Sequence, residues 1–361
     1  MPWENKRIDP WIPILVCLLM FAGLIAIKSS TRDLGGTFVI KQMIWDLIGV
    51  SFLFLAIFVR ERDIDRSLWV VYGISIFLLS VVLYWGVSTT GSRRWFDLGV
   101  GYFQPSELAK LAVILISARL LSKGTRRAFW VSSLFIAPVI FLILLEPDFG
   151  TAFLVGVTWF VMSITSPVPW RPILIVLLII AILLPFGYFF VLKDYQRERL
   201  MSFLYPESYS QSGAYNVLQS IHAIGSGGLF GRGYLKGPAT LKGYVPKKHT
   251  DFILSVVGEE FGFAGIATLV FLFTLLIYRI QRSVRRAKNL FWELVCVGIG
   301  TVLAFHIFEN MAMTMGLAPV TGIPLPFVSY GGSSTLMFCV MLGLVMKANA
   351  IGKTGKEVKG G

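Results

Sequence analysis

Long apolar runs alternate with short polar connectors along this chain, and the runs set the fold. A membrane-crossing helix needs about 20 mostly apolar residues. Such runs fall near 11–28, 42–60, 67–87, 105–122, 129–146, 150–166, 170–192, 251–279, 291–318 and 333–349. They predict an all-α polytopic membrane protein with about ten transmembrane helices. The fifth and sixth runs are parted only by Glu146-Pro147-Asp148-Phe149, which predicts a tight re-turning pair. There are no heptads, no low-complexity tract and no separate soluble domain, so 1–361 reads as a single transmembrane domain.

Charge orients the runs. With the N-terminus inside, nineteen Lys and Arg fall in the inner segments and five in the short outer loops. Cytoplasmic loops carry the excess of basic residues, so both termini are expected in the cytoplasm. The same assignment puts 88–104, 193–250 and 319–332 outside. The segment 193–250 is then one long extracytoplasmic loop, and 350–361 is a cytoplasmic tail, disordered over its Gly/Lys-rich end. The first run is long for a signal sequence and no small-residue cleavage site follows it, so it reads as a retained span.

Composition agrees. Hydrophobic residues make up 55% of the chain and charged ones 15%, against about a quarter charged in soluble domains. A net charge of +13 would suggest nucleic acid for a soluble protein. Here topology accounts for it, and no nucleic-acid partner is expected. Cys17, Cys296 and Cys339 lie in apolar runs without metal or disulfide spacing and read as small core hydrophobes.

Some charges are not explained by topology. An ionisable residue within a span is costly and is a functional candidate by default. Glu107 and Lys110, three residues apart behind Pro105 and Ser106, share one face of the fourth span. They are either a structural ion pair or a polar platform facing a substrate groove. The eighth run, from His249-Thr250-Asp251 to Arg279, would be about 43 Å long as one helix. That exceeds the bilayer core and places Asp251 in a first turn at the outer interface. The helix dipole alone would favour an acid there.

Two further stretches carry candidate chemistry. Gly225-Ser226-Gly227-Gly228-Leu229-Phe230-Gly231-Arg232-Gly233, followed by Lys236, Lys242, Lys247 and Lys248, offers backbone N–H groups and cations to an anion. It matches neither a Walker A motif nor a dinucleotide fingerprint, and a flexible loop would need glycine anyway. The stretch from Pro319 to Ser334 holds three prolines and three glycines. It cannot be a regular helix, yet it is too apolar for a free loop. Irregular backbone at membrane depth must be buried in protein or line a cavity, so this stretch reads as a re-entrant or interfacial wall of a groove.

These residues carry a family resemblance. Gly91-Ser92-Arg93-Arg94-Trp95-Phe96-Asp97-Leu98-Gly99 with Gln104 to Lys110, then Glu146 to Thr151, then Ile224 to Gly228 with His249 to Phe252 and Gly258 to Gly262, then 319–334, follow one another as in the SEDS family. Val320-Thr321-Gly322-Ile323-Pro324 and the short N-terminus resemble the elongation (RodA-type) branch more than the division (FtsW-type) branch. Two departures stand out: Lys247-Lys248 where an acid is common after Pro246, and Phe149 where Leu is common.

The resemblance implies a peptidoglycan glycosyltransferase of the bacterial inner membrane, active on its outer side. It would polymerise lipid II, an undecaprenyl-pyrophosphate disaccharide-pentapeptide, into β-1,4 strands with inversion, for cell elongation and rod shape. A class B penicillin-binding protein is the implied partner, since this chain holds no transpeptidase domain. Such chemistry needs a base near the attacking hydroxyl and positive charge at the leaving diphosphate. Asp251 is the candidate base. Arg94, Lys110 and Arg232 are candidate anion partners, and Glu107 positions Lys110. Asp148, His249, Thr250, Ser329 and Tyr330, which stand in the matched motifs, complete the candidate substrate-binding set. A divalent cation, Mg2+ or Mn2+, is a candidate bridge for the diphosphate, although no dedicated metal motif is visible. The alternatives are a division-type polymerase, a flippase for lipid-linked sugars and a non-enzymatic scaffold. Flippases often show paired repeats, and no matching halves are seen here. A scaffold has no need of Asp251 and a basic glycine-rich loop on one face.

Overall fold

The computed structural model describes residues 8–34, 36–88, 93–99, 101–190, 194–205, 208–209 and 214–352. The Gly91-Ser92 start of the first motif, parts of 193–250 and the tail from 353 lie outside the described residues. Each apolar run of the sequence lies on a helix: α1 (Trp11–Ser30), α2 (Thr37–Phe58), α3 (Glu61–Trp85), α4 (Pro105–Leu121), α5 (Arg126–Leu145), α6 (Phe149–Thr165) and α7 (Trp170–Phe190) in the first half. After α8 (Asp194–Leu204), α9 (Tyr215–Ser226) and α10 (Pro238–Leu241) come α11 (Ile253–Arg286), α12 (Leu290–Thr314) and α13 (Gly332–Ala350). Seven of these are long and apolar enough to cross a membrane by length and composition. The chain is a mostly helical, polytopic membrane protein.

The interior is built around α4 and α12. α4 is buried on nearly all its faces, Glu107 and Lys110 included. It packs on α3, α5, α6 and α12, and α12 also meets α11 and α13. A helix with no lipid-facing stripe belongs inside a bundle, which is why α4 tolerates charge. By contrast, α2 lays one face on α13 and exposes Leu47, Phe54 and Leu55 on the other.

Four sequence expectations are corrected. The fold is not purely α-helical: β1 (Val87–Ser88), β2 (Arg93–Asp97) and β3 (Tyr102–Phe103) form a small antiparallel sheet in that order. Asp97 closes its second turn by accepting the Gly99 N–H at 2.8 Å. The loop 193–250 is partly folded, because it carries α8, α9 and α10. Cys17 is exposed rather than in the core, unlike Cys296 and Cys339.

The fourth correction concerns α11, which is not one straight rod. Gly262, at φ 65° and ψ −158°, breaks it into two helices. That backbone region is open essentially to glycine alone. A break leaves carbonyl and N–H groups without helical partners. The glycine-rich loop supplies them: Arg232 and Gly233 N–H donate to the Glu259 and Glu260 carbonyls at 3.0 Å each, and Phe263 and Ala264 N–H donate to the Gly228 and Leu229 carbonyls at 2.9 and 3.0 Å. A Cβ on Gly227 or Gly231 would collide with the Gly258 or Glu260 carbonyl oxygen. The glycines thus let one backbone enter another at the break, and the N–H groups of Gly231, Arg232 and Gly233 are already taken by carbonyls. The loop is not an open anion cradle.

The stretch 319–331 has no regular helix, and its middle is buried, with Leu325, Phe327 and Val328 at 1, 2 and 0% exposure. α1 approaches it at Gly23, where a Cβ would lie 2.6 Å from the Phe327 carbonyl oxygen.

Candidate functional site

Asp251 stands two residues ahead of α11, in a turn closed by Thr250 and Phe252 N–H bonds to the Lys247 carbonyl at 3.1 and 3.3 Å. Its side chain is 13% exposed and its carboxylate pairs with the Lys247 ammonium at 3.6 Å. The irregular stretch lies against it: a Cβ on Gly322 would be 3.5 Å from Asp251 Oδ2. Gly322 holds φ +79°. At Gly322 the chain therefore meets the carboxylate with backbone alone.

Side chains from α12 and the irregular stretch fix this junction. Asn310 Nδ2 donates to the Asp251 carbonyl and the Ile323 carbonyl, both at 2.9 Å. Ser329 Oγ donates to the Thr250 carbonyl at 2.7 Å and accepts the Leu325 N–H at 2.9 Å. Tyr330 N–H donates to the His249 carbonyl at 2.9 Å. The rings of His249 and Tyr330 both pack on Phe38, at 5.4 and 5.2 Å between centroids. His249, Thr250, Asp251, Ser329 and Tyr330 are thus brought together. Burial lowers the His249 pKa; the Asp251 charge opposes the shift and Lys248 adds to it. The ring is neutral at pH 7, a packing element and not a cation.

The other candidates form separate groups. Arg94 on β2 reaches the turn between α5 and α6: its Nε donates to the Glu146 carbonyl at 2.8 Å, one Nη donates to the Pro147 carbonyl, and the other pairs with Asp148 at 3.5 Å. Asp148 caps α6 by accepting the Thr151 N–H at 3.1 Å. Glu146 is 1% exposed, and neither of its carboxylate oxygens has a hydrogen-bond partner. Burial, reinforced by Asp148 and opposed by Arg94, pushes its pKa up to about 9, so it stands protonated at pH 7.

Lys110 is enclosed. Its ammonium donates to Glu107 at 2.9 Å, lies 2.9 Å from His306 Nε2 and stands 5.7 Å from the centre of the Phe338 ring. An ammonium has no acceptor, so His306 Nε2 accepts and its Nδ1–H donates to the Pro324 carbonyl, 3.3 Å away. Lys110 therefore reaches the irregular stretch through His306. Arg232 is remote from this group; its Nε bonds the Ser226 carbonyl and hydroxyl at 3.0 and 3.2 Å beside the α11 break.

Several site residues were not singled out from sequence. His306, Asn310 and Gln42 all hold the irregular stretch, the last by accepting the Gly331 N–H at 3.1 Å. A lone His or Asn in an apolar run reads as core, although Asn310 four residues after His306 would put both on one helix face. Glu259 is another. It accepts the Ala239 and Thr240 N–H groups at 2.6 and 2.9 Å and so caps α10. For a divalent cation, the residues around Asp251 do not fit. Among the described residues no three His, Cys, Asp or Glu side chains gather, and the ion partner of Asp251 is a lysine.

The chain matches known proteins over nearly its whole length. The FtsW/RodA/SpoVE family model, described as cell cycle protein, matches residues 10–353. The peptidoglycan glycosyltransferase MrdB of Escherichia coli is 35% identical, over 95% of this chain and 94% of that protein. A probable peptidoglycan glycosyltransferase FtsW of Saccharophagus degradans is 33% identical, over 95% and 93%. Among solved structures, a chain of a peptidoglycan synthase complex that coordinates polymerization and crosslinking superposes with a TM-score of 0.82 at 32% identity, covering 96% of this chain and 98% of that one. The rod shape determining protein RodA of Thermus thermophilus gives 0.72 at 30% identity, covering 97% and 98%. On sequence and structure alike, this chain belongs to the FtsW/RodA/SpoVE family, the SEDS proteins.

Proposed function

We propose that this protein is a RodA-type peptidoglycan glycosyltransferase that polymerises lipid II into β-1,4 glycan strands. Ten helices cross the bacterial inner membrane, both termini are cytoplasmic, and Asp251 faces the outer side. The observation that carries the reading is the mostly buried Asp251 carboxylate ahead of α11, held against the backbone at Gly322 with a cation beside it. The similarity to MrdB supports the activity. The similarity to a synthase-complex chain supports a class B penicillin-binding protein as partner.

The chemistry follows from the residues. The acceptor's 4-hydroxyl attacks the anomeric carbon of the donor and gives its proton to Asp251. The bond to the diphosphate breaks on the opposite face, so the α-linked donor yields a β bond. Asn310 and Ser329 fix the backbone on either side of the base, which keeps the carboxylate in place. The lipid tails extend along the apolar outer faces of the helices. No step is assigned to a divalent cation.

The test is polymer formation from lipid II by purified protein in detergent, with and without the partner. In detergent there is no bilayer to flip across. Glycan strands that depend on this protein support the reading; a protein that makes no polymer with an active partner yet moves lipid-linked sugar across vesicles is a flippase.

A further inference from the structure

Four cations near the outer face are committed elsewhere. Arg94 holds the α5–α6 turn, Lys110 is enclosed by Glu107 and His306, and Arg232 is hooked on Ser226. Lys248 donates to the Thr240 carbonyl and pairs with Asp33 at 3.9 Å. Lys247 differs from these: its ammonium is directed at the Asp251 carboxylate, 3.6 Å away, and about half of its side chain is exposed. Its backbone is fixed in the left-handed region, φ +51°, by the turn that its carbonyl closes. The anchor is rigid while the four-carbon stem can swing.

Building on the glycosyltransferase reading, we propose that Lys247 is the tethered cation of this site, pairing with Asp251 when the donor is absent and moving onto the donor diphosphate when it binds. An ion pair with a half-exposed partner is weakly held. A diphosphate carries more negative charge than one carboxylate and draws the ammonium away. The move gives the leaving group a charge-assisted hydrogen bond. It also frees the carboxylate to take the acceptor's proton only once the donor is seated. Lys247 keeps its proton throughout and forms no covalent bond. This cation serves where the residues around Asp251 offer no nest for a metal.

The test measures binding of undecaprenyl pyrophosphate to the full-length protein in nanodiscs, with EDTA present, alongside lipid II polymerisation. Lys247→Arg keeps affinity within about twofold. Lys247→Ala lowers it about tenfold or more, and Lys247→Glu lowers it further. Asp251→Asn removes the competing carboxylate, so it binds the diphosphate at least as tightly as wild type while making no polymer. Wild-type affinity in a folded Lys247→Ala protein overturns the proposal, as does weakened binding in Asp251→Asn. Full polymerisation by Asp251→Asn would instead sink the assignment of the base, whatever Lys247 does to binding.

Discussion

Asn310→Ala probes how the proposed base, Asp251, is held. The Asn310 amide uses both its N–H groups, one on the Asp251 carbonyl and one on the Ile323 carbonyl, at 2.9 Å each, and the residue is fully buried. Alanine leaves two acceptors without these donors. The loss costs about 1–3 kcal/mol at the buried Ile323 bond and less at the part-buried Asp251 bond, so the junction between α11 and the irregular stretch weakens by on the order of 1–4 kcal/mol. The effect on rate comes from geometry: a displacement of about 1 Å in a reacting group can cost about a hundredfold. The expected result is a polymerisation rate at least about tenfold below wild type, with lipid II binding little changed and a lower unfolding temperature in detergent. Asn310→Asp, the same shape without donors, should do no better. An Asn310→Ala protein that melts and polymerises like wild type would refute the claim that this amide positions Asp251.

Gly262→Ala puts a side chain where φ is +65° and a Cβ would lie 2.7 Å from the Leu229 carbonyl carbon. Strain of about 1–3 kcal/mol plus that clash should lower the unfolding temperature, which a melt of purified protein reads directly. Glu146→Gln tests the buried acid of the α5–α6 turn. Because its folded pKa, about 9, is raised above the ordinary carboxylate value, the folded state binds the extra proton between those two values and wild type loses stability as pH rises through that window. The Gln variant should lack that loss, so melts from pH 5 to 9 should diverge increasingly toward the alkaline end.

The helical body was readable because each span is a long apolar run, a signal that needs no tertiary information. The runs begin and end within a few residues of α1 to α7 and α11 to α13, except where amphipathic turns extend a helix, as at Glu61 in α3 and Arg286 in α11. The small sheet escaped because two of its strands are two residues long. The site was partly readable. Asp251 and the irregular stretch stood out, since a carboxylate at a helix entrance and proline-broken apolar backbone are both anomalies in a bilayer. Their junction did not, because Gly322 and Asp251 are far apart in sequence. The glycine-rich loop was misread for a related reason: what demands glycine at 227 and 231 is the carbonyl row of Gly258 to Glu260, beside the break at Gly262. Arg94 looked like a free cation, and Lys110 like one held by Glu107 alone, because nothing local reveals the Glu146 carbonyl or the His306 ring that meet them.

The central claim is that the carboxylate at position 251 accepts the attacking hydroxyl's proton. The most direct measurement is the single-turnover rate of glycan bond formation by purified Asp251→Asn protein with its activating partner, at saturating lipid II. An amide of the same size binds substrate but cannot take the proton, so the rate should fall at least about a hundredfold with affinity for lipid II retained. A rate near that of wild type would contradict the account.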